Sequence, residues 1–182
     1  MISTWKSIIF DWKAYLRFNK KNNPVVFFLT FFHNPGMMFS LVYRWQHYFL
    51  MHDSKILKII GFISYPFYFI FTYYVLDINI DPYAKIGKGV YMHNRGIIIS
   101  HNAVIGENAH LVGPLTIGTK SIEDDRSAII GDNVTIGTGA RIIGHVKIGN
   151  NVTIGANAVV VKDAPDKCLL GGVPAKIIKS II

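Results

Sequence analysis

An aliphatic residue returns every six positions through the second half of this chain, and that period leaves few folds open. It runs without slip through Ile130, Ile136, Ile142, Ile148, Ile154 and Val160, with glycine directly after it at 131, 137, 149 and 155. A small or β-branched residue stands four places on each time: Val134, Ala140, Val146, Val152, Ala158 and Ala164. An earlier register covers Ile99, Ile105, Leu111 and Ile117, and Ile86-Gly87-Lys88-Gly89-Val90 opens the series one residue out of phase. Such a period specifies a solenoid. The aliphatic residues fill interior columns, small residues let the chain turn, and Gly or Asn accepts the positive φ that some corners demand. Successive coils then pair through backbone hydrogen bonds at about 4.8 Å. Three hexads close one triangular coil, and its flat faces favour side-by-side packing of whole solenoids.

The repeat accounts for only part of the chain. Residues 1–76 read as an α-helical, aromatic-rich region, and residues 77–182 as the solenoid, with a loop insertion at about 118–128 where the period breaks. Ser3 and Asp11 are plausible helix starts. Asn22, Asn23 and Pro24 interrupt the helical run, His33-Asn34-Pro35-Gly36 is a second turn signal, and Met37 to Met51 makes a further helix. Val25 to Phe32 is too short to span a bilayer. Ile59 to Leu76 has no charge, holds eight aromatics and contains Pro66. Its tyrosine hydroxyls need polar partners, which suits an interface better than a hydrocarbon centre. The segment reads either as an apolar helical pair packed on the protein or a neighbouring subunit, or as a peripheral membrane contact.

Composition narrows the partners. Hydrophobic residues make up 51% and charged residues 16%, which excludes a disordered chain. Nineteen Lys and Arg against 11 acidic residues give a net charge of +8, and the first 80 residues carry 8 basic but only 3 acidic side chains. That bias suits an anionic surface or a phosphorylated ligand. No nucleic-acid module accompanies it, so no nucleic-acid partner is expected. The single Cys168 excludes a disulfide framework and a Cys-rich metal site, and reads as buried and inert. The N-terminus lacks a signal-peptide pattern. The expected location is cytoplasmic, at the inner face of the plasma membrane if the aromatic segment touches lipid.

Several stretches resemble a known family. They are Asp81-Pro-Tyr-Ala-Lys-Ile-Gly-Lys-Gly-Val-Tyr-Met-His93, Gly96-Ile-Ile-Ile-Ser100, Ile130-Gly-Asp-Asn-Val-Thr-Ile-Gly-Thr-Gly-Ala140 and Gly171-Gly-Val-Pro-Ala-Lys176. They resemble the hexapeptide-repeat acyltransferases, and within them the serine acetyltransferase branch and its relatives in capsule and exopolysaccharide biosynthesis. The resemblance covers residues 78–178. It implies a mainly β fold, a left-handed parallel β-helix with an α-helical N-terminal region. It also implies acetyl-CoA as acyl donor, no metal, and a homotrimer with sites in the grooves between solenoids.

The resemblance assigns roles by position. His93 matches the catalytic histidine, and an imidazole that titrates near neutrality can take a hydroxyl proton and return it to the leaving thiol. An aspartate that orients this histidine in the serine enzymes is matched by Asn79, with Asp77 and Asp81 flanking it; Asp81 is the other candidate for that role. Thr119, Thr138, Ala156 and Lys176 match positions lining the donor groove, and Lys176 and Lys179 suit adenosine phosphates. His101 and His110, in repeat turns, are expected near the same groove. In the loop, Arg126 matches an acceptor-binding arginine, whereas Ser127 replaces the histidine beside it. Glu123, Asp124 and Asp125 are free to bind hydroxyls. His33, His47 and His52 read as structural or exposed, and His145 as a solvated turn residue.

These departures argue against serine as acceptor. The expected function is O-acetyl transfer from acetyl-CoA to a sugar hydroxyl in cell-surface polysaccharide biosynthesis, with a carbohydrate acceptor held by Arg126, His101 and Asp125. The alternatives are a serine O-acetyltransferase of cysteine biosynthesis and a non-catalytic trimeric scaffold. A metal hydratase of the carbonic-anhydrase type on the same fold needs three histidines across a subunit boundary, and the spacings of His93, His101 and His110 do not repeat the 18-residue coil.

Overall fold

The computed structural model describes residues 4–19 and 34–180. The Asn22–Pro24 break, the Val25–Phe32 run, Ser3 and His33 lie outside the described residues. Among the described residues, three helices precede the solenoid: α1 (Thr4–Asn19), α2 (Pro35–Met51) and α3 (Lys55–Ile70), the last continuing as a π-helical turn over Phe71–Val75. Helix α2 starts where the sequence signal stands. Asn34 Oδ1 accepts from Gly36 N at 3.0 Å, and Pro35 occupies the first turn, where its missing N–H has no intrahelical role.

Five coils follow. The first holds β1 (Ile78–Ile80), β2 (Lys85–Ile86) and β3 (Tyr91–His93), and the second β4 (Ile97–Ile99), β5 (Val104–Ile105) and β6 (His110–Val112). The third holds β7 (Leu115–Gly118), β8 (Ile129–Ile130) and β9 (Thr135–Ile136), the fourth β10 (Arg141–Ile143), β11 (Lys147–Ile148) and β12 (Thr153–Ile154). The last holds β13 (Val159–Val160) and β14 (Cys168–Gly172), and β15 (Ala175–Ser180) folds back antiparallel on β14. Three parallel sheets form the faces, in the orders β1-β4-β7-β10-β13, β2-β5-β8-β11 and β3-β6-β9-β12-β14. This is the parallel β-helix with N-terminal helices that the repeat specifies. The buried column reads Ile86, Ile105, Ile130 and Ile148 on one face and Met92, Leu111, Ile136 and Ile154 on the next. Each is the aliphatic member of its hexad.

The corners are equally regular. Gly89, Asn108, Asn133, Asn151 and Lys167 stack at one corner with φ between 55° and 77°. Left-handed backbone there sends the amides of Asn108, Asn133 and Asn151 to Lys88, Glu107 and Asp132 carbonyls one coil below. Three offsets depart from the 18-residue pitch. The first coil pairs with the second at 19 (Ile78 with Ile97), the pairings that span the loop run at 25 (Thr116 with Arg141), and β12 pairs with β14 at 16 (Thr153 with Leu169). The offset of 25 is the loop between β7 and β8. The offset of 19 is the phase slip seen in the sequence, and it falls at the corner Asn94–Gly96, directly after His93.

The bottom of a parallel solenoid is an open edge, and the helices close it with side chains. Tyr15 of α1 donates its hydroxyl to Met92 O at 3.1 Å and accepts from Met92 N at 3.0 Å. Asp11 Oδ1 accepts from Gly89 N (2.7 Å) and Val90 N (3.1 Å). Arg44 of α2 donates to Ile86 O and Gly87 O at 2.5 Å each, and Nε meets Asp11 Oδ2 at 3.0 Å. Tyr43 donates to Ala84 O (2.5 Å) and Tyr68 to Ile80 O (2.7 Å). The Asp11 and Arg44 side chains are 0% and 7% exposed. Burial pushes the Asp11 carboxyl above its ordinary pKa, opposed by Arg44 and the two amides. Arg44→Met leaves that carboxylate buried without its partner, and is expected to lower stability by about 3–5 kcal/mol in a denaturant titration. Lys88→Met, which removes the half-exposed pair with Glu107, is expected to change it by less than about 1 kcal/mol.

Candidate functional site

His93 ends β3 and is exposed at the corner between the third and first faces. Pairing makes it the equivalent of Val112 on the second coil and of Gly137 and Gly155 above. A histidine thus stands where the repeat elsewhere carries Val or Gly. The extra residue of the first coil follows it at once, with Asn94 (φ 67°) and Gly96 (φ 74°) in left-handed conformation. Below, the N-terminus of α2 comes against the same strand. A Cβ on Gly36 would collide with the Met92 carbonyl and the Tyr15 hydroxyl, so only glycine permits this approach. Asn34, Pro35, His93, Asn94 and Arg95 line an open cleft of about 370 Å³. Arg95 donates to Val75 O at 3.3 Å, which anchors it beside the cleft.

The offset of 19 puts His110 directly opposite Tyr91. Their rings lie 4.9 Å apart, and Tyr91 lies 5.9 Å from the His93 ring. Tyr15 meets Tyr91 edge-on at 4.6 Å. The result is a cluster of two tyrosines and two histidines beneath the cleft. Burial lowers the His110 pKa from its ordinary 6.5, and the neighbouring His93 lowers it further. Its neutral form is therefore favoured in the folded chain.

Of the donor-groove candidates, Thr138 and Ala156 stack on successive coils of the His93 corner. Thr138 Oγ1 donates to Gly113 O at 3.0 Å, Asn157 N donates to Thr138 O at 2.9 Å, and a Cβ on Gly137 would stand 2.8 Å from Ala156 N. Lys176 follows the β14–β15 turn at the top of that column and is exposed. From the coil of His93 to that of β14 the column rises four spacings, about 19 Å.

Thr119 lies on a different corner, between the first and second faces. So do His101, Asp125 and Arg126, the expected acceptor residues. His101 Nε2 lies 3.9 Å from Asp125 Oδ2, and Asn102 Nδ2 donates to the same oxygen at 3.2 Å. Arg126 is held by Asp124, Nε to Oδ1 at 2.8 Å and Nη2 to Oδ2 at 3.0 Å, which brings the Asp124 pKa down to about 2. Ser127 is buried and accepts from Ser100 Oγ at 2.8 Å, and His145 Nδ1 lies 3.1 Å from Ser127 O. The expectation that His101 and His110 share one groove therefore divides: within one chain His110 joins His93, and His101 joins the loop. His110 also sits on a strand rather than in a turn, because β6 starts there.

No hydrogen bond joins Asn79 or Asp81 to His93 among the described residues. Asn79 is exposed at the middle of β1, and Asp81 Oδ1 accepts from Tyr83 N at 2.8 Å. Cys168 is buried with Sγ 3.3 Å from Pro165 O, and burial pushes its thiol pKa up. His47 Nδ1 lies 2.7 Å from Pro82 O, and His52 Nδ1 accepts from Ser54 N at 3.1 Å. Tyr15, Gly36, Tyr91 and Arg95 were not singled out by the sequence. The first is 77 residues from Met92 and carries no local signal. Gly36 did stand in a marked turn.

The His110 shift fixes an acid dependence. A histidine whose folded pKa is depressed stays neutral in the native state while the unfolded chain takes up a proton near 6.5. Stability is retained above that value and falls as pH drops through the folded pKa. His110→Asn is expected to lose less stability than wild type between about pH 7.5 and about pH 5, measured by urea midpoints at each pH.

Comparison with known proteins follows the same lines. Residues 127–162 match the family described as bacterial transferase hexapeptide (six repeats). The serine acetyltransferase of Staphylococcus aureus is 40% identical over 104 residues, covering 56% of this chain and 49% of that protein. The serine acetyltransferase of Synechococcus elongatus is 34% identical over 103 residues, 56% of this chain and 42% of that protein. The chain thus spans less than half the length of these curated relatives. Among solved structures, Neisseria gonorrhoeae serine acetyltransferase superposes with a TM-score of 0.80 at 28% identity, covering 100% of this chain and 67% of that one. Soybean serine acetyltransferase complexed with serine gives 0.81 at 27% identity, covering 98% and 70%.

Proposed function

We infer that this chain, a hexapeptide-repeat protein of the serine acetyltransferase-like branch, is an acetyl-CoA-dependent O-acetyltransferase that acts on the hydroxyl of serine. The observation that carries the reading is the position of His93. It stands at the foot of a corner column of small residues, in a cleft bordered by Arg95 and the N-terminal end of α2. His93 takes the proton of the acceptor hydroxyl as its oxygen attacks the thioester carbonyl. Backbone amides are the available donors for the tetrahedral oxyanion, and His93 returns the proton to the departing thiolate. The corner column past Thr138 and Ala156 suits an extended pantetheine arm, with Lys176 for the phosphates. Arg95 and the positive end of the α2 dipole suit a carboxylate beside the reacting hydroxyl, which favours an amino-acid acceptor over a neutral one.

A homotrimer completes this reading. The loop carrying Asp125 and Arg126 stands on another corner from His93, so one prism cannot bring them together. Around a three-fold axis the loop of one copy reaches the His93 corner of the next. A sugar hydroxyl as acceptor is the second reading, and specific residues favour it. Asn79 replaces an acidic orienting group, and Ser127 is turned inward to Ser100 instead of toward an acceptor. Capsule or exopolysaccharide biosynthesis belongs to that second reading alone.

Thiol release from acetyl-CoA, followed with serine, nucleotide sugars and simple sugars in turn, tests both. Serine is expected to drive release, and His93→Ala to slow it by about 10²–10⁴-fold with unchanged thermal stability. Release with carbohydrates alone would move the acceptor to the sugar reading. No release with any acceptor would remove the enzymatic one.

A further inference from the structure

Helix α3 and its π-helical continuation form one apolar rod of 21 residues, Lys55–Val75, with its polarity inverted. The stripe facing the protein holds its small and polar residues, Gly61, Ser64, Tyr68 and Thr72, together with the half-buried Leu57 and Phe71. Gln46 of α2, itself buried, donates from Nε2 to Gly61 O at 2.8 Å and accepts from Ser64 Oγ at 2.8 Å. Tyr68 bonds Ile80 O, and Thr72 Oγ1 donates to Tyr68 O at 2.9 Å. Gly61 lets α2 approach so closely that a Cβ there would stand 3.0 Å from the side chains of Phe49 and Leu50. The outward side carries Ile56, Phe62, Ile63, Phe67, Ile70 and Tyr74, between 56% and 79% exposed. In a water-facing helix the order is the reverse, with apolar residues inward. Small and polar residues between helices and apolar residues outside is the arrangement found where lipid is the solvent.

We propose that this face docks on an anionic lipid bilayer, with α3 lying in the interface and not crossing it. Crossing is barred by Tyr68, whose hydroxyl is bonded to the first strand of the solenoid, and by the chain entering β1 two residues after Leu76. The charges favour anionic lipid. Lys55 and Lys58 begin the rod, and no charge lies between Lys58 and Asp77. These cations can reach headgroups while the apolar side enters the acyl boundary, and Tyr65, Tyr73 and Tyr74 suit the same depth. A second copy of the chain explains less. One partner helix covers a stripe of about 100°, whereas α3 is apolar over nearly all the circumference that α2 leaves open. The inference is independent of the acyl acceptor.

Flotation of the full chain with phosphatidylglycerol–phosphatidylcholine vesicles tests it. Wild type is expected to float, and to remain bound in about 1 M salt, where the Debye length is about 3 Å and apolar insertion alone persists. A Phe62→Ser/Ile63→Ser/Phe67→Ser variant is expected to lose binding by at least about ten-fold, with unchanged circular dichroism and oligomeric mass. Phosphatidylcholine vesicles without the anionic lipid should bind the wild type more weakly. Wild type left at the bottom of the gradient overturns the proposal. So does a variant that loses oligomeric mass along with binding, which assigns the face to a second copy. Thiol release by wild type without lipid is unaffected by either result, so failure here leaves the acyltransfer reading standing.

Discussion

A stack of parallel coils ends, at its first turn, in a row of backbone groups with no strand below them. Buried and unpaired, each such group would be as costly as a lost hydrogen bond, and several of them would fray the coil that carries His93. Here side chains take the place of the missing strand. Asp11 accepts from Gly89 N and Val90 N, Arg44 donates to the Ile86 and Gly87 carbonyls, Tyr15 engages both groups of Met92, and Tyr43 and Tyr68 donate to the carbonyls of Ala84 and Ile80. The Asp11–Arg44 pair ties α1 to α2 while both engage the edge. Helices and solenoid therefore share one core, in which Phe39, Tyr43 and Tyr68 pack against the first coil.

The site depends on this closure twice over. Met92, held on both sides by Tyr15, fixes the strand on which His93 stands. Gly36 then allows the start of α2 to come close enough to wall the cleft. The one-residue lengthening of the first coil places its extra residue beside His93, where it opens the corner, and β4 pairs with β7 above at the regular offset of 18. Loop residues on a neighbouring corner remain out of reach within one chain, so assembly and chemistry are coupled in the proposed trimer.

The hexad made most of the solenoid legible: the interior columns, the stacked asparagine corners and the insertion after β7 all follow from where the period holds and breaks. The histidines show where legibility ends. His101 and His110 look alike in the string, yet a pitch of 19 instead of 18 sets His110 on Tyr91, and the slip at Ile86 was the signal for it. Asp11, Arg44 and Tyr15 carry no such signal, because their partners lie 33 to 79 residues away and a helix states nothing about the strand edge it will cover. The apolar run to Leu76 was visible. Its inversion was not, since which side faces α2 is decided by Gln46 and Gly61 in contact.

Hydrogen exchange at single amides tests the central claim, that side chains from the helices close the first coil. Gly89, Val90 and Met92 donate to Asp11 and Tyr15 instead of to a strand. The account predicts that they exchange as slowly as Leu111 and Ile136, deep within the same sheet. Exchange as fast as in the loop 119–126 would contradict it, and would leave His93 on a frayed edge.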